Sequence, residues 1–314
     1  METLTETFES FDQSLKYLLQ YSPADFIRFG LGLGEAQFAV QEPTESGLPR
    51  RGRDIDGCYI MDHLNRRTVV HIEFHRRHQK LEDLCLDVGE AQIRLRRRER
   101  LPVLSLVWTL YGKSNQAVLV ERHFSVGPGD EHSRVSYQQI NLRGMTAQAL
   151  LEQAPPVLWP LIALTHDGAQ AQAIVRCRDA IETRPELDES ARADFLAVLW
   201  FVAEAENVPV RLLQDYITEE RLMESVLYRS IFEKGQARGR AEGEARGELH
   251  SKGETIIRVL GLRLGELSAA VRERIEQTTD LPTLSGWYEQ ALLILDAADA
   301  RQLVEQIEHA PPAH

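Results

Sequence analysis

Between Thr68 and His75 a β-branched run gives way to strict alternation, Thr-Val-Val-His-Ile-Glu-Phe-His, which is the period of a strand. Successive strand side chains point to opposite faces. Ile72 and Phe74 therefore share one face, and His71, Glu73 and His75 share the other. Ile55 to Met61 predicts a second strand, opened by Asp54 and Asp56, with Asp62 to Arg67 as the turn of a hairpin. Ahead of it, a helix opening at Asp12 has an apolar face of Phe11, Leu15, Leu18 and Leu19. A second helix starts with Ser22 as N-cap and Pro23 in its first turn, and residues 41–53 read as a loop or ragged strand.

Beyond the hairpin, Leu81 to Arg98 predicts a helix with an apolar stripe of Leu81, Leu84, Val88, Ala91 and Leu95. Gln92 lies one turn past Val88, either reaching toward the hairpin or standing as a plain surface glutamine. Val103 to Tyr111 is apolar almost throughout, as in strands buried on both faces. Residues 117–126 and 134–142 read as short strands separated by Gly127 to Asp130. Pro155 to Leu161 is a rigid apolar segment that offers no chemistry, and His166 and Asp167 read as loop residues. The pattern is helical from Ala169 to Phe232. Gly235, Gly239, Gly243 and Gly247 then recur every four residues. In a helix each costs about 0.8–1 kcal/mol against alanine, so they mark either a strip for close approach of another backbone or a solvated connector. A small helical unit closes the chain before a tail of His309 to His314.

Composition narrows the class. The chain has 314 residues, 43% hydrophobic and 27% charged, enough for more than one unit, and no apolar run approaches a membrane span. The N-terminus lacks a signal-peptide pattern, and three scattered cysteines suggest a reducing, cytoplasmic setting. The net charge of −12 argues against nucleic acid until its distribution is read. Residues 50–100 hold 13 Lys/Arg against 9 Asp/Glu, an excess of +4 that leaves −16 elsewhere. A local basic excess suits a phosphate backbone and equally suits a solvated surface.

Asp56 at the mouth of one strand and Glu73 inside the next are placed to share a divalent cation, since Mg²⁺ takes oxygen ligands and often only one or two carboxylates. The plainer alternatives are a turn cap for Asp56 and an arginine partner for Glu73. Zinc on His71, Glu73 and His75 is a further alternative.

Asp56-Gly57-Cys58-Tyr59-Ile60-Met61, a turn, and His71-Ile72-Glu73-Phe74-His75 resemble the PD-(D/E)XK nuclease pattern, in the wording of the Rpn-like recombination-promoting nuclease and transposase family. The opening helix, the glycine ladder and the closing helical unit are similar to that family too. The resemblance implies an α/β (α+β) fold: a restriction-endonuclease-like core with a mixed central sheet flanked by helices, then an all-helical C-terminal region. The divisions expected are a nuclease-like domain over 1–168, a helical extension over 169–234, a glycine-ladder connector over 235–253 and a small helical domain over 254–314. It further implies a Mg²⁺- or Mn²⁺-dependent DNA endonuclease linked to transposition or recombination. Asp56, Glu73 and the Phe74 backbone carbonyl would hold the metal, with Asp56, Glu73 and His75 catalytic. His75 departs from the family's Gln and the superfamily's Lys, which opens the alternative of a catalytically weakened nuclease fold that binds nucleic acid or protein. Arg50, Arg51, Arg53, Arg76, Arg77, Arg96, Arg97 and Arg98 are candidates for phosphate contact with DNA read without strong sequence preference. The glycine strip would serve a homodimer.

Overall fold

The computed structural model describes residues 2–33, 38–43, 55–63, 66–75, 80–111, 117–125 and 134–310. Helix α1 (Glu2–Tyr21) starts ten residues before the expected Asp12, and α2 (Pro23–Leu31) follows with Pro23 in its first turn. Ser22 stands at the N-cap, but its hydroxyl donates to Asp25 Oδ2 at 2.7 Å rather than accepting from the helix. Gly32 ends α2 in the left-handed region at φ 64°, where glycine is unstrained.

Strands β1 (Phe38–Pro43), β2 (Gly57–His63) and β3 (Arg66–His75) form an antiparallel meander. Helix α3 (Leu81–Glu99) then returns the chain so that β4 (Val103–Thr109) runs parallel to β3. A parallel partner needs such a crossover. The strands β5 (Leu119–Ser125) and β6 (Arg134–Ile140) complete a six-stranded mixed sheet in the order β1-β2-β3-β4-β6-β5, with β6 parallel to β4 and antiparallel to β5. β4 thus lies between two parallel neighbours, and residues 105–109 are buried, as its unbroken apolar run predicts.

Helices α4 (Ala147–Gln153), α5 (Ala171–Thr183), α6 (Glu189–Ala205), α7 (Val210–Tyr216) and α8 (Glu219–Glu224) follow, with a 3₁₀ segment at Pro156–Leu164 between α4 and α5. One sheet face, carrying Val70, Ile72, Leu106, Trp108 and Ile140, joins α1, α2, that 3₁₀ segment and α6 in a single core. Residues 1–168 and 169–231 therefore share one interior, and the helical extension is part of the first compact unit, Met1–Ile231. Within it, buried Asp194 accepts hydrogen bonds from the Tyr17 hydroxyl, the Ser225 hydroxyl and the Leu227 amide, tying α1 and α6 to the start of the next helix.

That helix, α9 (Val226–Leu264), begins in the first unit and ends in the second, Phe232–His314. Its ladder glycines are helical, and a Cβ on Gly235, Gly239, Gly243 or Gly247 would meet nothing within 4 Å. The second unit has its own core, in which Ile256 and Leu260 of α9 meet α10 (Ala269–Gln277), α11 (Leu281–Leu293) and α12 (Ala297–His309). Among the described residues no helix is long and apolar enough to cross a membrane. Cys58, Cys85 and Cys177 are buried thiols that form no disulfide. Residues 44–54 and 127–130, where loops are expected, and 311–314 of the expected tail lie outside the described residues, whereas His309, expected in that tail, ends α12.

Candidate functional site

The site begins with a glycine. Gly57 opens β2 opposite Ile72, and a Cβ there would sit 2.7 Å from Leu19 Cδ2 and 2.9 Å from the Tyr59 ring. The missing side chain lets α1 close onto the mouth of β2. Lys16 of α1 thereby comes within 4.0 Å of Asp56 Oδ1 while pairing with Asp12 at 2.8 Å.

Asp56 precedes the ladder. Its Oδ2 accepts the Phe74 amide at 2.8 Å, taking the place of the main-chain partner that β2 no longer supplies beyond the Gly57–Ile72 pair. A buried strand amide left unpaired would be costly. The N–H and C=O of one strand residue face the same neighbour, so the Phe74 carbonyl emerges on the Asp56 side. The Phe74 ring is held on the opposite face of the sheet, 6.0 Å from the Phe26 ring and 6.2 Å from that of Trp108. That aromatic anchor keeps Glu73 and His75 turned toward α3's side.

The Asp56 side chain is only 13% exposed. Burial pushes its carboxyl up from 3.8 to about 7, with the charges of Glu73 and Asp12 adding to the effect and the Phe74 hydrogen bond and Lys16 opposing it. Glu73 is buried and directly follows Ile72, the partner of Gly57. Two carboxylates therefore meet where water is scarce, an arrangement that favours protonation or a cation.

A hydrogen-bonded seam runs from buried Glu73 and His71 out to Gln92 of α3. His71 Nε2 lies 3.0 Å from Glu73 Oε1, and His71 Nδ1 lies 3.1 Å from Ser105 Oγ on β4. Gln92 of α3 donates from Nε2 to Ser105 Oγ at 3.0 Å and to the Ser136 carbonyl at 2.7 Å. The seam separates two apolar footholds of α3. Leu84, Cys85 and Val88 pack with Val107 and Tyr137, whereas Leu95 packs with Ile55, Cys58 and Val69.

Of the residues singled out in the sequence, the fold thus brings together Asp56, Glu73 and Phe74, with His75 two residues along on the Glu73 face. Both His71 ring nitrogens are committed, to Glu73 and to Ser105, so zinc on His71, Glu73 and His75 is not what the geometry builds; among the described residues no cluster of three or more His, Cys, Asp and Glu could hold a metal. Mg²⁺ asks for less, one or two carboxylates with water and other oxygens, and Asp56, Glu73 and the Phe74 carbonyl fit that donor set.

Arg50, Arg51, Arg53, Arg76 and Arg77 lie outside the described residues. Arg96 and Arg97 are exposed on the last turn of α3. The Arg98 guanidinium pairs with Glu99 at 2.6 Å and reaches Cys58 Sγ at 3.9 Å. These arginines follow Leu95, which packs with Ile55, Cys58 and Val69, and Arg98 thus lies against Cys58, the cross-strand partner of His71. Lys16 and Ser105 escape a reading of the sequence. Their signals are the Asp12–Lys16 spacing on a helix otherwise facing the core, and a lone hydroxyl inside an apolar strand.

Comparison of the chain with protein-family models, with curated proteins and with solved structures gives no match.

Proposed function

We propose that this chain is a metal-dependent DNA endonuclease that hydrolyses phosphodiester bonds, on a restriction-endonuclease-like core of the PD-(D/E)XK kind. The observation that carries the proposal is the meeting of Asp56 and Glu73 at the mouth of β2, where Asp56 is held by the Phe74 amide and pushed up to about 7 by burial and by Glu73. The order of antiparallel meander, crossover helix and parallel fourth strand supports it.

Bound Mg²⁺ or Mn²⁺ would supply Lewis acidity at a phosphoryl oxygen. Asp56, Glu73 and the Phe74 carbonyl would hold it, and the Phe74 amide orients Asp56 for that task. His75 takes the place that the resemblance gives to Lys or Gln. A neutral imidazole there accepts the proton of an attacking water, and a protonated one offsets negative charge developing on the phosphate. Lys16, next to Asp56, adds positive charge to the approach of an anionic backbone. DNA without strong sequence preference, and a second copy of the chain along the open glycine strip of α9, are the partners this reading includes.

The test is cleavage of supercoiled plasmid with Mg²⁺ or Mn²⁺ by the wild type beside Asp56→Ala, Glu73→Ala and His75→Lys. Nicking by the wild type that both acid variants abolish is the expected result. The presence of histidine at position 75 favours one second reading, a fold that grips DNA without cutting. Cleavage by His75→Lys alone, or DNA binding without cleavage by any variant, would move the assignment there.

A further inference from the structure

Hydrogen-bond accounting along the seam fixes more than proximity. The Ser136 carbonyl can only accept, so the Gln92 atom facing it must be the amide nitrogen, with one hydrogen for Ser136 and the other for Ser105 Oγ. The Ser105 hydroxyl, fully buried and already accepting from Gln92, is left with its own hydrogen to donate, and His71 Nδ1 stands 3.1 Å away. The Nδ1 is therefore an acceptor. The imidazole proton sits on Nε2, which donates to Glu73 Oε1 at 3.0 Å. A second ring proton on Nδ1 would set two donors against one hydroxyl, leaving the hydroxyl's hydrogen without an acceptor among the described residues, a buried loss.

We propose that Gln92 is a positioning residue: through Ser105 and His71 it fixes the imidazole tautomer and so holds the Glu73 carboxylate by its Oε1 in the orientation a divalent cation would use. The chain of bonds runs between two groups that can only accept, a main-chain carbonyl on β6 and the Glu73 carboxylate, and its directions agree from either end. Such outer partners orient the groups that hold a metal, and losing one commonly weakens metal binding about 10–100-fold. The inference rests on the nuclease reading for its purpose, though not for its geometry.

The experiment uses the full chain, labelled with ¹⁵N-histidine, and reads the His71 ring by two-bond ¹H–¹⁵N correlation, with His71→Gln assigning the signal among ten histidines. Wild type is compared with Gln92→Met, which keeps the length of the side chain and removes its amide, and with Ser105→Ala, which removes only the hydroxyl. Mn²⁺ binding to the same samples is followed by electron paramagnetic resonance. The proposal expects a single Nε2–H tautomer in the wild type, mixed tautomers in both variants with unchanged circular dichroism, and Mn²⁺ affinity lower by about tenfold or more. A tautomer that stays fixed in both variants overturns it, as does a Nδ1–H ring in the wild type. Mixed tautomers with Mn²⁺ affinity unchanged in the variants also overturn the positioning role. If wild type binds no Mn²⁺ while the tautomer responds as expected, the network stands and the metal-dependent reading of the site falls.

Discussion

Asp56→Asn separates what the buried carboxyl costs the fold from what it does for the site. Moving a carboxyl from 3.8 to about 7 corresponds to about 4 kcal/mol. Between those values the folded chain keeps a proton that the unfolded chain has lost, so stability falls as pH rises through this window and levels off above it. Roughly 2.5 kcal/mol of the change lies between pH 5 and pH 8. Asparagine does not ionise, and its carbonyl oxygen can still accept the Phe74 amide. The variant's stability, measured against the wild type, is therefore expected to improve by about 2.5 kcal/mol on going from pH 5 to pH 8. Urea unfolding followed by tryptophan fluorescence measures it in a Trp287→Phe background. The remaining Trp108, Trp159 and Trp200 all belong to the first unit, which keeps the second unit's transition out of the signal. Mg²⁺ at ten times its dissociation constant should restore about 1.4 kcal/mol to the wild type at pH 8 and nothing to the variant. A pH dependence identical in the two proteins would refute the placement of Asp56 in a dry site beside Glu73.

Two further outcomes test the surfaces. Replacing Arg96 and Arg97 together by alanine should shallow the salt dependence of DNA binding by about two in the slope of log K against log salt; an unchanged slope in filter binding puts the DNA face elsewhere. Gly239→Ala with Gly243→Ala should strengthen α9 locally by about 0.8–1 kcal/mol per site, read as slower amide exchange, because the added methyl groups meet nothing. If the strip packs against a second copy, the same variant should weaken self-association in sedimentation.

Much of this site is legible in the sequence because strands have a period of two. The alternation of His71, Ile72, Glu73 and Phe74 states which residues share a face, and an acid just before Gly57 states where the hairpin opens. What the sequence withholds is partnership. A glutamine at position 92 looks like any surface glutamine until β4 and β6 place Ser105 and the Ser136 carbonyl beneath it. The arginines at 96–98 read only as a basic helix end until the crossover helix lays Leu95 and Arg98 against Cys58, the cross-strand partner of His71. The apolar faces of residues 169–231 are readable too, yet periodicity reveals that a face is buried without saying against what, which is why the shared core with the sheet emerges only from the fold.

The alternation of grease and polarity beneath α3 has a mechanical consequence. Apolar footholds such as Leu84–Val107 and Leu95–Val69 would tolerate a helix sliding along its groove, because dispersion contacts re-form after small shifts. Directional bonds would not. The Gln92 amide works as a key in a slot, and Gly89, where a Cβ would come within 2.8 Å of Val135 Cγ2, sets how deep the key can enter. A slide of a single residue would withdraw the amide from both acceptors at once. The register of α3 is thus indexed by the same side chain that steadies Glu73, so a disturbance of the helix and a disturbance of the acid are one event.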